Sequence, residues 1–326
     1  MTITSTPGAE FNVAAGGDYL EVFSGTVTVT GDAGGFNETL EAVPDGAGGF
    51  YYSVNVGDDR GGYATLILTG GGDGVNIAIE DAATTGFPAT IRVADRENSI
   101  GSLYVEGGAT LSSINSGLAD GSFEGTYQNL LIGFGAGSSG VVDVRDAGSN
   151  ITVGGVGATV DVARFGGYGI LEVGEGGSVS ANRIVVGRDD GSDGRVVVSG
   201  GAITLDNAYG TNADTNYLTN GPFFAVGRDG GVGRLDLSDG GLVEISNTDG
   251  VTDGGSLQVG RDGGVGALTV DGVGTQLNLS QIGPIDQTDF GVSILAGRGG
   301  SAYLEVTNGG AISITGEDAF MRLGET

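Results

Sequence analysis

The chain has 326 residues, 69 of them glycine and five proline, and its 13 basic against 41 acidic residues give a formal charge of −28. Cysteine, histidine and tryptophan are absent, which removes disulfides, thiolate zinc sites, thiol nucleophiles, imidazole ligands and any Ser-His-Asp triad. Every basic residue is arginine, and a net field of this sign repels nucleic acid and anionic membrane surfaces.

The first ten residues, Met1 to Glu10, contain neither a basic segment nor an apolar run, so no ordinary secretory signal is expected there. No stretch reaches about 18 consecutive apolar residues, and no membrane insertion is expected in this region. Residues 1–55 are the least repetitive part. Short apolar runs around Val27, Leu40 and Val54 are interspersed with Phe11, Tyr19, Phe23, Tyr51 and Tyr52. Terminal units of a stacked array are atypical because an open end must be capped. Residues 1–55 are therefore expected to form an N-terminal cap with the first strands.

From residue 56 onward one unit recurs, and Ala225 to Ile245 shows it most clearly. Leu235 and Leu237 flank Asp236, and Val243 and Ile245 flank Glu244, so apolar side chains fall on one side of each strand and acids on the other. Ser238-Asp239-Gly240-Gly241 separates the two runs as a glycine corner. Each unit opens on an apolar residue followed by Gly or Ala, as at Val56-Gly57, Val93-Ala94, Ile132-Gly133, Val162-Ala163 and Val186-Gly187. The series continues at Val226-Gly227, Val259-Gly260, Ala296-Gly297 and Leu323-Gly324. The shortest spacing is 24 residues, Val162 to Val186, enough for three strands of about five residues and three corners. Longer spacings imply insertions between the third strand and the next anchor, at 112–129, 206–224, 246–255 and 280–291. No unit covers its own apolar side, so neighbours must stack upon it.

The expected fold is all-β, a right-handed parallel β-helix of about 24 residues per minimal coil with loop insertions at one corner. Its core is expected to include Leu171, Val173, Leu235, Leu237, Leu268, Val270, Leu304 and Val306. Residues 56–326 form the array. Met321 to Thr326 reads as the start of another unit, so the polypeptide is expected to continue beyond it.

Units such as Val226-Gly-Arg-Asp-Gly-Gly-Val-Gly-Arg-Leu-Asp-Leu-Ser-Asp-Gly-Gly241 resemble the autotransporter and PEP-CTERM-associated repeats of large bacterial surface and secreted proteins. The likeness is clearest over 130–326. The resemblance implies a parallel β-helix passenger or adhesin-like region, extracellular or at the cell surface, and it carries no catalytic residues. The chain departs from the autotransporter pattern in lacking a Sec signal and a C-terminal barrel, and export without an N-terminal Sec signal suits it better.

Three constellations bear on chemistry. Arg188, Arg228, Arg261 and Arg298 follow successive anchors, with Arg164 beside them, and Asp189, Asp229 and Asp262 follow three of these. Stacking turns them into an Arg–Asp ladder at ~4.8 Å intervals, read as structural, with an anionic-glycan groove as the alternative. The loop Arg188 to Gly194 holds Asp189, Asp190 and Asp193, an oxygen-rich set of the kind Ca²⁺ prefers. It matches neither an EF-hand nor a nonapeptide β-roll loop, and Gly70 to Gly74 is only a near match to the latter. Outward acids are spread along the array rather than gathered, so catalysis is not expected. No catalytic, cofactor-binding or metal-ligating residue is assigned. The expected role is a structural or adhesive passenger contacting surface glycans or other copies of itself. A polysaccharide lyase or hydrolase and a self-assembling matrix protein stand as alternatives.

Overall fold

The computed structural model describes residues 2–13, 19–31, 36–41, 43–44, 51–52, 54–57, 62–70, 74–80, 90–115, 128–155, 158–206, 221–248, 254–281 and 291–325. All its regular elements are β-strands, and from Leu20 onward the main ladders are parallel and in register. The chain winds as a three-sided parallel β-helix. Crossovers between parallel strands of one sheet are right-handed with few exceptions, which is the hand expected of this coil.

One coil shows the plan. Arg183–Arg188 lies on a first face, Asp193–Ser199 on a second and Ala202–Asp206 on a third. The next coil repeats this with Phe223–Arg228, Val232–Ser238 and Leu242–Asn247. Corresponding residues pair directly: Val186 with Val226, Val196 with Leu235, Ile203 with Val243. All nine anchors stand in one row of the first face, from Val56 through Val186 to Leu323. The row begins one coil earlier, at Val22, because Leu20–Thr30 bends across the first and second faces. Phe36–Glu41 completes that coil on the third face. Below it, Thr2–Ser5 and Glu10–Val13 run antiparallel to Leu20–Thr30 and pair its edge. Paired in this way, the edge no longer offers free N–H and C=O groups to another chain.

The expected core holds along most of the length. Leu171, Val173, Leu235, Leu237, Leu268 and Val270 are all buried, and burying each such side chain contributes about 1.5–3 kcal/mol. Two expected core residues differ. Leu304 is only partly buried, and Val306 is 47% exposed. A core side chain here is covered by the coils on both sides, and only the first-face strand Phe320–Glu325 follows this coil among the described residues.

Close approach at the corner between the first two faces explains the Gly-or-Ala rule. Gly187 and Gly227 take φ of 64° and 71°, and Ala94 and Ala163 accept the same left-handed conformation at 56° and 64°. Facing them, Gly233 leaves no room for a side chain: a Cβ there would lie 2.2 Å from the Gly227 nitrogen and 2.4 Å from the Val186 oxygen. The following turn is Asp229-Gly230, with φ of 52° and 89°, closed by the Gly231 N–H donating to the Arg228 carbonyl at 3.0 Å. This is the two-residue type I′ geometry that Asp-Gly favours. Asp239-Gly240 repeats it between the second and third faces.

Insertions fall where expected in the chain order. Among the described residues from Val75–Glu80 onward, each third-face strand is followed by a first-face strand, whether across one residue, Asn182, or across residues 207–222; Phe36–Glu41 is followed first by the antiparallel pair Val43–Pro44 and Tyr51–Tyr52. The bodies of the four insertions (116–127, 207–220, 249–253 and 282–290) lie outside the described residues.

Candidate functional site: an arginine–aspartate ladder

From Ile132 onward each anchor leads through its Gly or Ala into the last residue of a first-face strand, and there the arginines align. Arg164 pairs with Arg188, Arg188 with Arg228, and Arg228 with Arg261. The Cα partner of Arg298 is Glu325. Like charges stacked one coil apart would repel, and the aspartates that open the following turns sit between them. Arg164 Nε donates to Asp189 Oδ2 of the next coil at 3.1 Å. Arg188 Nε lies 3.3 Å from Asp229 Oδ2 of the next coil and 3.8 Å from Asp189 Oδ1 of its own. Further along, the pairing closes within a coil: Arg228 Nε to Asp229 Oδ2 at 3.1 Å and Arg261 Nε to Asp262 Oδ2 at 2.8 Å. The Arg261 Nη1 also donates to Gln258 Oε1 at 2.6 Å.

The ladder's arginines are largely held away from water, its turn aspartates less so. Arg228 is 8% exposed, and burial, with Arg228 beside it, lowers the pKa of Arg261. Its lower end is closed by rings. The Phe134 and Phe165 rings meet edge to face at 5.1 Å, and the Arg164 guanidinium lies 4.5 Å from the Phe165 centroid. Higher up, Arg183 and Arg228 both stand near the Phe223 ring, at 5.9 and 6.0 Å.

One member of the site was not anticipated from the sequence. Asp161 sits on the outer side of the first face, 1% exposed, with Oδ2 3.6 Å from Arg164 Nη1. Neither of its oxygens accepts a hydrogen bond. Desolvation raises its pKa, and Arg164, Arg188 and Arg183 pull the other way. Its row in the stack continues as Leu131, Val185, Ala225 and Gln258, all at most 4% exposed. Val185, Phe223 and Ala225 make a second apolar cluster, apart from the main core. The first face is thus buried on both sides, whereas second-face strands such as Asp193–Ser199 alternate buried with open positions. The signal for this was present in the unbroken apolar runs Ile184-Val185-Val186 and Phe223 to Val226, which fit a strand covered on both sides.

A second charged cluster lies on the second face. Arg145 reaches Glu106 Oε2 at 2.8 Å and Asp143 Oδ2 at 3.3 Å, with Tyr104 5.4 Å below its guanidinium. Glu172 pairs with Asp143 on the adjacent coil. Desolvation raises the Asp143 pKa, against the pull of Arg145. In the loop weighed for Ca²⁺, Asp189 is turned to Arg164 and Arg188. Among the described residues no three acidic side chains converge in a metal-binding group. Residues 71–73 of the Gly70 to Gly74 near match lie outside the described residues.

Chemically, the ladder sets four arginines (Arg164, Arg188, Arg228 and Arg261) against Asp161, Asp189, Asp229 and Asp262. The Nε atoms of these four arginines lie within 3.3 Å of a carboxylate oxygen, and Arg298 acts on Arg261 from the next coil. The fold and this edge define a class: a parallel β-solenoid whose corner is riveted by charge pairs from coil to coil. No helix among the described residues is long and apolar enough to cross a membrane. No family model and no curated protein matches the chain. Among solved structures it pairs with a fragment of TibA hyper-glycosylated by TibC, at 17% identity over 88% of this chain and 97% of that one. The TM-score of that pairing is 0.15, and no property is carried across from it.

Proposed function

We propose that the chain is a structural or adhesive passenger region of a bacterial protein that acts outside the cell or at its surface, spacing other surfaces rather than transforming a substrate. The observation that carries this reading is the unbroken in-register stack. Part of its arginine–aspartate ladder ties one coil to the next, through Arg164 with Asp189 and Arg188 with Asp229, and its outward acids are distributed along the coils. The likeness of the Val226 to Gly241 units to autotransporter and PEP-CTERM-associated repeats agrees with it. The acidic, lysine-free surface suits a protein that must stay dispersed.

The test is twofold. Antibody labelling or protease shaving of intact producing cells is expected to reach the protein. Incubation with acidic and neutral polysaccharides is expected to release no products. Depolymerisation that is lost in Asp143→Asn would replace this reading with the glycan-active one, because Asp143 and Glu172 are the paired carboxylates such chemistry would use.

A further inference from the structure

The third face differs from the other two in its outward chemistry. Its nine strands form one sheet, from Phe36–Glu41 to Ala311–Thr315. The two central outward rows run Asn76, Thr110, Asn150, Ser178, Ala202, Leu242, Gln276, Ala311 and, beside them, Ala78, Ser112, Thr152, Ser180, Thr204, Glu244, Asn278, Ser313. On a chain of charge −28, a single ionisable side chain, Glu244, stands in these rows. The outward rows of the second face, by contrast, carry Asp143, Glu172, Arg195, Asp236 and Glu305. Hydroxyls and amides on the third face already bond to one another from coil to coil. Thr110 donates to Asn76 Oδ1, and Asn150 Nδ2 donates to Ser178 Oγ at 3.0 Å. Apolar groups are interspersed, among them Leu242 and, at the strand end, Ile114, which is 43% exposed.

We propose that two copies of this chain associate through their third faces, about a two-fold axis that lies in the interface along the middle strand, Ser178–Ala181. Three observations favour a second copy as the occupant. First, this is where two strongly acidic molecules can meet without bringing carboxylates together. Second, a second copy shares the coil spacing, so rows stay matched along the whole stack, as any other polymer would have to do by coincidence. Third, the area suffices: nine strands at ~4.8 Å by about five residues at ~3.3 Å give on the order of 700 Å² per copy, near the roughly 800 Å² per partner of a standard interface. An isologous dimer with antiparallel stacks also deals with Glu244. It sets each Glu244 against the Thr110 and Ser112 hydroxyls of its mate, and keeps the two carboxylates about four coils, or ~19 Å, apart.

Salt dependence separates this interface from one made by charge pairs. The contact itself is uncharged while the two bodies repel, so screening should strengthen association. Sedimentation equilibrium of the intact chain is expected to show a monomer–dimer equilibrium whose Kd falls at least tenfold between 20 mM and 500 mM NaCl. Thr152→Glu with Ser180→Glu should raise Kd at least tenfold, whereas Ser102→Glu, outward on the second face, should not. Because the chain has no cysteine, Ser180→Cys supplies a single thiol beside the axis. Under oxidation it should give a cross-linked dimer, and Ser102→Cys should not. This measurement does not depend on the charged variants folding. A monomer at every concentration and salt, a dimer indifferent to the third-face charges, or a monomer that binds a neutral polysaccharide through this face would each overturn the proposal. None of these results would touch the passenger reading, which is decided by surface labelling and polysaccharide digestion.

Discussion

Gly233 and Asp161 illustrate how single positions carry this fold. At Gly233 a methyl group would collide with backbone, the Gly227 nitrogen and the Val186 oxygen, rather than with a side chain that can swing away. Gly233→Ala is therefore expected to destabilise by about 1–3 kcal/mol, the usual range for overpacking, read as a lower melting temperature. Asp161 presents the opposite case, a native residue whose removal should help. Its carboxylate is buried and its pKa is raised by desolvation despite three nearby arginines. A raised folded pKa means that the favourable, protonated state is fully present at acid pH and is lost as pH rises through that value. Asp161→Asn should thus melt higher than the parent at pH 7, with the difference shrinking as pH falls toward 4. A variant that melts lower at pH 7 would show that the Arg164 contact outweighs desolvation.

Elements meet through the corners, and the ladder is the clearest case. Arg188 bridges to Asp229 of the next coil, and Arg228 turns to the same carboxylate, so Asp229 ties two coils at once. A double-mutant cycle of Arg188→Ala and Asp229→Ala is expected to give a coupling of about 0.5–3 kcal/mol, the range for residues in one network. Because Arg188 and Arg228 are largely buried, 0.5 M NaCl should reduce that coupling only modestly. A surface pair such as Arg195 with Asp236, where the Arg195 side chain is 45% exposed, should lose most of its smaller contribution under the same salt. The anchor Gly-or-Ala pattern was legible at this scale because left-handed corners constrain residue type. The alternation of Leu235, Asp236 and Leu237 was legible because a strand's side chains alternate. What the third strand's insertions do was not legible, since a corner admits loops of many lengths at little cost in closure entropy.

At the scale of the whole molecule, charge dominates. With −28 spread over the coils, self-repulsion works against the compact state, and the melting temperature should rise as NaCl goes from 10 mM to 0.5 M. Ca²⁺ added after chelation should raise it no more than Mg²⁺ at equal ionic strength, because Asp189 is already held by arginines. A Ca²⁺-specific rise would reinstate a site in the loop from Asp189 to Asp193.

The sequence by itself determined the all-β class, the three-strand unit, the row of anchors and most of the core, since each follows from local periodicity and from the residue types a sharp corner tolerates. It also placed Arg164, Arg188, Arg228, Arg261 and Arg298 in one ladder, of which the first four pair directly, because equal position within a repeat becomes vertical neighbourhood once repeats stack. Only the tertiary structure decided which acid each arginine takes, within its own coil or the next, for that depends on where the turn aims each carboxylate. It decided that the first coil starts at Leu20, since the strand Leu20–Thr30 bends over two faces without a Gly-Arg-Asp signature. It decided, too, that Asp161 is buried while Val306 is open. Burial depends on what lies across from a residue, and no periodicity within a strand records that.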